Sequence, residues 1–244
     1  MTTMCAWLTE ARYLDSNPWT QVPRLNRPAQ LQELRSLSDK QWALVDAWLQ
    51  QRPDTPANER LRMMFSLALA TGMREAELAN ARAGWLRQDA DEQGEPAWSL
   101  IVVGKGSKER EVPLTIRIAG QLARHLDSKG LGSDLALLAP EVPLLSGLSD
   151  AMRPMAPDRI YELMKAAVRK CADEIQADDP KAAERIRRAS PHWLRHTHGR
   201  KFVEAGGDRG VLRQNLGYAS DATTAIYDRS GAQHRRREVE KVFG

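Results

Sequence analysis

Cysteine is nearly absent. Cys5 and Cys171 are the only two in 244 residues, which excludes a disulfide framework and a four-cysteine zinc site. Long apolar runs are missing as well. The longest uncharged candidate, Met63 to Met73, falls well short of the roughly 18–20 residues that cross a bilayer, and it reads as a core helix. The first residues, MTTMCAWLTEARY, lack a basic stretch followed by an apolar one, so they do not read as a secretory signal. There is no internal repeat and no low-complexity tract. These absences together point to a reduced, cytoplasmic chain without a membrane partner.

Net charge is also small. Lys and Arg number 36 against 32 Asp and Glu, a formal balance of +4, which does not by itself identify a nucleic-acid binder. Its distribution is more informative. From Lys181 to Gly244 there are 14 basic and 7 acidic residues, leaving 22 against 25 in the first 180. The basic surplus therefore lies wholly in the last quarter. A hydrophobic content of 42% with 28% charged residues is that of a chain with a packed core rather than a disordered one.

Residues 4–14 read as a short helix ended by Ser16-Asn17-Pro18, and Pro18, Pro23 and Pro28 mark an extended linker to about Arg35. Ser38 is placed to cap a helix whose apolar residues Trp42, Val45, Trp48 and Leu49 recur at helical spacing. A second helix spans Asn58 to Ala70 and a short one Glu75 to Ala81. The period then changes. Trp98–Val103 and Glu109–Leu114 read as strands of a hairpin whose tip is Gly104-Lys105-Gly106-Ser107-Lys108. Helices are expected again at about 115–128 and 157–173, and from 180 onward with breaks at Gly206-Gly207-Asp208 and Gly217. A final basic helix is expected at about 231–242. The pattern is that of a mostly helical domain with one small antiparallel sheet.

Four stretches hold residues suited to chemistry. In Ala70-Thr71-Gly72-Met73-Arg74-Glu75-Ala76-Glu77-Leu78, Arg74 and Glu77 are one helical turn apart, which taken alone also describes an ordinary surface ion pair. The hairpin tip offers Lys105 between two glycines, able to donate a proton or to bind a phosphate oxygen, yet equally an ordinary solvated turn. Pro191-His192-Trp193-Leu194-Arg195-His196 sets His192 and Arg195 three apart, on one helix face and within reach of a common anion. His192 and His196 stand at a zinc-ligand spacing, but the general-base glutamate of H-E-x-x-H is missing and no carboxylate or cysteine partner stands at ligand spacing. Finally, Leu216-Gly217-Tyr218-Ala219-Ser220 leads into Thr223-Thr224 and Tyr227, a tyrosine that in isolation reads as half-buried packing.

In chain order, A-T-G-M-R-E-A-E-L, G-K-G-S-K-E-R-x-V-P-L, P-H-W-L-R-H and L-G-Y-x-S-x-x-T-T-x-x-Y resemble the phage integrase or tyrosine recombinase family over about residues 38–244. The resemblance implies a mainly α (α+β) helical catalytic domain with a small antiparallel three-stranded sheet, at residues 36–244. It implies that Arg74 is the first catalytic arginine and that Glu77 braces the site. Lys105 is then the general acid, His192 and Arg195 the H-x-x-R pair, and Tyr227 the nucleophile. Tyr218 stands where the family more often has histidine or tryptophan. Its hydroxyl donates a hydrogen bond to a phosphate oxygen but carries no positive charge. The implied activity is site-specific DNA recombination by cleavage and rejoining through a 3′-phosphotyrosyl link. That link conserves the bond energy, so the reaction needs no metal, ATP or other cofactor.

Close alternatives are a type IB topoisomerase-like nicking and joining enzyme and a non-catalytic DNA-binding module. The family usually carries an N-terminal helical domain that closes around DNA. Residues 1–35 read as a remnant of that domain and its linker. The expected partner is double-stranded DNA, with a homo-tetramer assembled on it by the full-length protein. The basic tail at His234-Arg235-Arg236-Arg237 suits either a neighbouring subunit or phosphates.

Overall fold

Ser38 and Gln41 open the first long helix by exchanging hydrogen bonds. The Ser38 hydroxyl accepts from the Gln41 amide at 3.2 Å, and the Gln41 side chain accepts from the Ser38 amide at 2.9 Å. Two otherwise orphaned backbone donors are satisfied at once. In the computed structural model, which describes residues 2–20, 35–90, 93–104, 109–217, 236 and 239–244, the chain divides into two units, Met1–Gln32 and Glu33–Gly244. The first unit holds helix α1 (Thr2–Glu10) and a 3-10 turn at Pro18–Thr20.

The second unit is built on α2 (Asp39–Gln50) and α3 (Pro56–Thr71). Thr55 caps α3 and Pro56 occupies its first turn, where a missing N–H costs nothing. Met63, Met64, Phe65, Leu67 and Ala68 are buried along α3, so this helix forms the centre of the core. It ends at Gly72, whose φ of 62° is left-handed and suits glycine at a helix C-terminus. The short helix α4 (Glu75–Asn80) follows.

Strands β1 (Leu86–Ala90), β2 (Pro96–Val103) and β3 (Glu109–Leu114) form an antiparallel meander in that order. Leu100 lies between Leu86 and Val112 in register. Leu100, Val102, Val112 and Leu114 turn one face of the sheet into the core. Thr115 caps α5 (Ile116–Asp127), whose buried Ile118, Leu122 and Leu126 join the same core. Helices α6 (Pro157–Glu174), α7 (Pro180–Arg188) and α8 (Pro191–Glu204) follow, then α9 (Arg209–Leu216), which Asp208 caps and Gly217 closes with φ 62°.

A second, smaller cluster joins Leu69 of α3, Phe202 of α8 and Val211 of α9 to Val239 and Phe243 at the end of the chain. The final residues thus pack on the body of their own chain, with Arg117 donating to the Phe243 carbonyl at 2.9 Å. The mainly helical class with a three-stranded antiparallel sheet is as expected, and the helix boundaries agree within a few residues. Strand β1 is the third strand that the resemblance implies, but the residue pattern alone does not locate it. Its text, Leu-Arg-Gln-Asp-Ala, is mostly exposed, so it carries no alternating apolar signal for a strand. Most of the expected helix at 231–242 lies outside the described residues.

Candidate active site

The site gathers where α3 ends, α4 begins and α8 and α9 meet them. Gly72 makes the closeness possible. A Cβ at this position would stand 2.6 Å from Leu216 Cδ2 and 3.2 Å from the His198 ring, so α3 can end against α8 and α9 only on a residue without a side chain. Two residues later Arg74 takes the N-cap position of α4.

Arg195 lies on α8 and is only 1% exposed. Its guanidinium donates to the Gly72 carbonyl at 2.6 Å and to the Leu216 carbonyl. Those carbonyls close α3 and α9, so the buried positive charge sits at the negative ends of two helix dipoles. This answers how such a charge tolerates its burial.

Glu77 is 5% exposed and takes up both neighbouring arginines. Its Oε2 accepts from the Arg74 backbone N–H at 2.9 Å and from Arg110 Nη2 at 2.7 Å. Its Oε1 accepts from Arg74 Nη1 and Arg110 Nη1, both at 3.0 Å. Burial alone pushes a carboxyl pKa up, but the Arg110 and Arg74 hydrogen bonds and charges outweigh it, and Glu77 ends below the usual carboxylate range. The pair is therefore no surface ornament. Arg110, on β3, is the functional neighbour that sequence reasoning quoted only as part of a motif. It lies 33 residues from Glu77, and no local spacing announces the pairing.

His192 stands near the start of α8, where it remains solvent-accessible. Its ring lies edge-on to His196, centroids 4.6 Å apart. Partial desolvation lowers the His192 pKa. Glu75 opposes this, while the positive charges of Arg195, Arg35 and Arg74 reinforce it. The imidazole is therefore neutral near pH 7 and suited to accept a proton. His196 is pushed down to about 4 by burial and by His192 and Arg195. Among the described residues no group of three or more His, Cys, Asp and Glu side chains could hold a metal ion, and the His192–His196 spacing gains no third ligand there.

His198 points away from the site into the second cluster. Its Nδ1 lies 2.8 Å from the Leu69 carbonyl and its ring stacks on Phe243 at 4.7 Å. Of the expected site residues, the structure brings together Arg74, Glu77, His192 and Arg195. Lys105, Tyr218 and Tyr227 lie outside the described residues. A groove of about 670 Å³, lined by Trp98, Leu114, Ile116, Ala119 and Arg236 among others, contains none of the site residues. No helix among the described residues is long and apolar enough to cross a membrane.

The profile of the phage integrase family matches residues 39–234, a span that includes every residue named above as a site candidate. The chain belongs to the phage integrase family. It is 33% identical over 190 residues to tyrosine recombinase XerD of Xanthomonas axonopodis pv. citri, covering 75% of this chain and 55% of that protein. It is 27% identical over 241 residues to tyrosine recombinase XerC of Xylella fastidiosa, covering 98% of this chain and 68% of that one. The chain thus spans little more than half to two thirds of the length of these curated relatives. Among solved structures, the Tn1549 transposon integrase in complex with transposon right end DNA superposes with a TM-score of 0.57 at 16% identity, covering 88% of this chain and 70% of that one. The integrase from mycobacterium phage Brujita does so with 0.53 at 19%, covering 99% and 68%. These likenesses show that the fold is that of integrase catalytic domains.

Proposed function

We propose that this integrase-family domain breaks and rejoins double-stranded DNA at specific sites through a 3′-phosphotyrosyl intermediate. The observation that supports the reading is that Arg195 bonds the Gly72 carbonyl, two residues before Arg74, while His192 lies within the electrostatic influence of both arginines. A phosphodiester is an anion that repels nucleophiles. Two guanidiniums that neutralise its nonbridging oxygens stabilise the charge of the transition state. Arg195 is held rigid by two carbonyls, so little reorganisation accompanies the reaction.

Tyr227 acts as the nucleophile and attacks phosphorus, forming the phosphotyrosyl bond as the bond to the 5′ oxygen breaks. The phenol, with an ordinary pKa of about 10, gives up its proton during attack. His192, neutral at its depressed pKa, accepts that proton or a hydrogen bond from it. Lys105 protonates the departing 5′ oxygen, and Tyr218 donates a hydrogen bond to the phosphate. A second 5′ hydroxyl then attacks the phosphotyrosine and the enzyme is regenerated. The DNA-bound state of the Tn1549 neighbour supports duplex DNA as the partner, and assembly of four copies on DNA is the corresponding expectation for a full-length protein. Residues 1–35 are the remnant of a DNA-clamping domain and its linker in this reading.

The test uses a pool of nicked duplexes of randomised sequence, from which the short fragment bearing the new 5′ hydroxyl diffuses away after cleavage. A detergent-resistant protein–DNA adduct is expected in the presence of a chelator, and Tyr227→Phe should abolish it. An adduct that survives in Tyr227→Phe, or the absence of any adduct across the pool with the unsubstituted chain, would refute the proposal.

A further inference from the structure

We propose that Arg110 is a positioning residue of this site, holding Arg74 through Glu77 and the end of α9 through Asn215; the inference rests on the recombinase reading above. One guanidinium makes three bonds in a plane. Nη1 and Nη2 grip both oxygens of Glu77 at 3.0 and 2.7 Å. Nε donates to the Asn215 carbonyl at 2.8 Å. Its side chain is 8% exposed, whereas that of Arg74 is 42% exposed. The buried arginine anchors the carboxylate, and the carboxylate in turn orients the open one.

The three elements so joined are those on which the proposed chemistry depends. Arg110 is the second residue of β3, which in sequence follows the segment that carries Lys105. Glu77 lies in the first turn of α4, at whose N-cap Arg74 sits. Asn215 is in the last turn of α9, from which the chain runs on to Tyr218 and Tyr227. Gly217 packs against the same side chain, since a Cβ there would lie 3.0 Å from Arg110 Cδ. The Asn215 and Leu216 carbonyls are thus taken by Arg110 and Arg195 in turn, which pins the last turn of α9.

Charge balance gives Arg110 a second effect. Glu77 alone with Arg74 would form a neutral pair that competes with a phosphate for the Arg74 charge. Two arginines on one carboxylate leave a net positive unit, and the tighter bidentate grip belongs to Arg110. Lysine cannot replace it, because one ammonium does not bond two carboxylate oxygens and a carbonyl in a planar fork.

The experiment compares Arg110→Met and Arg110→Lys with Val168→Ala, a core substitution on α6 that serves as a stability-matched control. Hydrogen exchange at the Arg74 and Gly217 amides is read first, without DNA. Arg110→Met should speed both by about tenfold or more through local opening, while Val168→Ala leaves both near the unsubstituted values. The rate of adduct formation at saturating nicked duplex is read second. Arg110→Met should lower it about 100-fold by misplacement of reacting groups, Arg110→Lys should recover less than about a tenth of the loss in logarithmic terms, and Val168→Ala should match the unsubstituted chain. Unchanged exchange in Arg110→Met, or an equal adduct loss in Val168→Ala, overturns the inference. If the unsubstituted chain forms no adduct, the recombinase reading fails, and the exchange measurement still decides whether Arg110 organises both segments.

Discussion

Glu77→Gln is the substitution whose cost follows most directly from the structure. The change keeps the shape of the side chain but removes its charge and replaces one acceptor oxygen with a donor NH2. At least one of the four hydrogen bonds to Arg74 and Arg110 then becomes a contact between two donors. Arg110 stays in place with 8% of its side chain exposed, a positive charge without its carboxylate. Breaking a buried ion pair by removing one member costs about 3–5 kcal/mol. Part of Arg74 reaches solvent, and its share of the loss is correspondingly small. A net loss of about 3 kcal/mol is expected, a large fraction of the ~5–15 kcal/mol that typically holds a domain together.

Urea denaturation followed by circular dichroism near neutral pH measures it. The double variant Glu77→Gln/Arg110→Met removes the stranded charge and should regain at least about 1.5 kcal/mol relative to the sum of the single losses. A loss below about 1 kcal/mol for Glu77→Gln, or strict additivity of the two singles, would show that the pair is solvated and the burial argument wrong.

Two further outcomes test other parts of the fold. His125 and His198 are buried, and desolvation holds each near a pKa of about 4, with the Lys129 and Arg60 charges adding to the effect at His125 and Arg195 at His198. Both are neutral in the fold and take up a proton on unfolding below pH ~6.5, so stability is full above that pH and falls towards about 4. At about pH 5 each should cost about 2 kcal/mol, and a urea midpoint unchanged between about pH 7.5 and 5 would contradict this. Gly72→Ala puts a methyl group 2.6 Å from Leu216 Cδ2 at a φ of 62°. It should destabilise by about 2 kcal/mol and slow adduct formation, and a melting temperature equal to that of the unsubstituted chain would count against the close approach.

The local grammar of this chain was readable without coordinates. Ser38, Asp208 and Gly217 announce helix ends by capping chemistry that involves only neighbours a few residues away, and the β2–β3 hairpin announces itself by its change of period. Arg74, Glu77, His192 and Arg195 could likewise be named, because their motifs are short. What spacing cannot convey is the environment. Nothing local says that Arg195 is buried against the ends of two helices, or that Glu77 serves a partner 33 residues away. The third strand implied by the resemblance could not be placed at β1 for a related reason. Its exposed residues obey no burial pattern, and only pairing with β2 makes them a strand.

The placement of Arg195 has a consequence for how a domain with the proposed activity could lose it. A side chain bonded to the closing carbonyls of α3 and α9 is a joint of the scaffold as well as a proposed phosphate ligand. Its removal would damage the protein before it silenced the chemistry. A descendant that kept DNA affinity and gave up strand cleavage would therefore retain this arginine and discard the tyrosine hydroxyl first. The presence of the arginine in a relative is a sign of an intact scaffold; activity has to be judged from the groups the scaffold can do without.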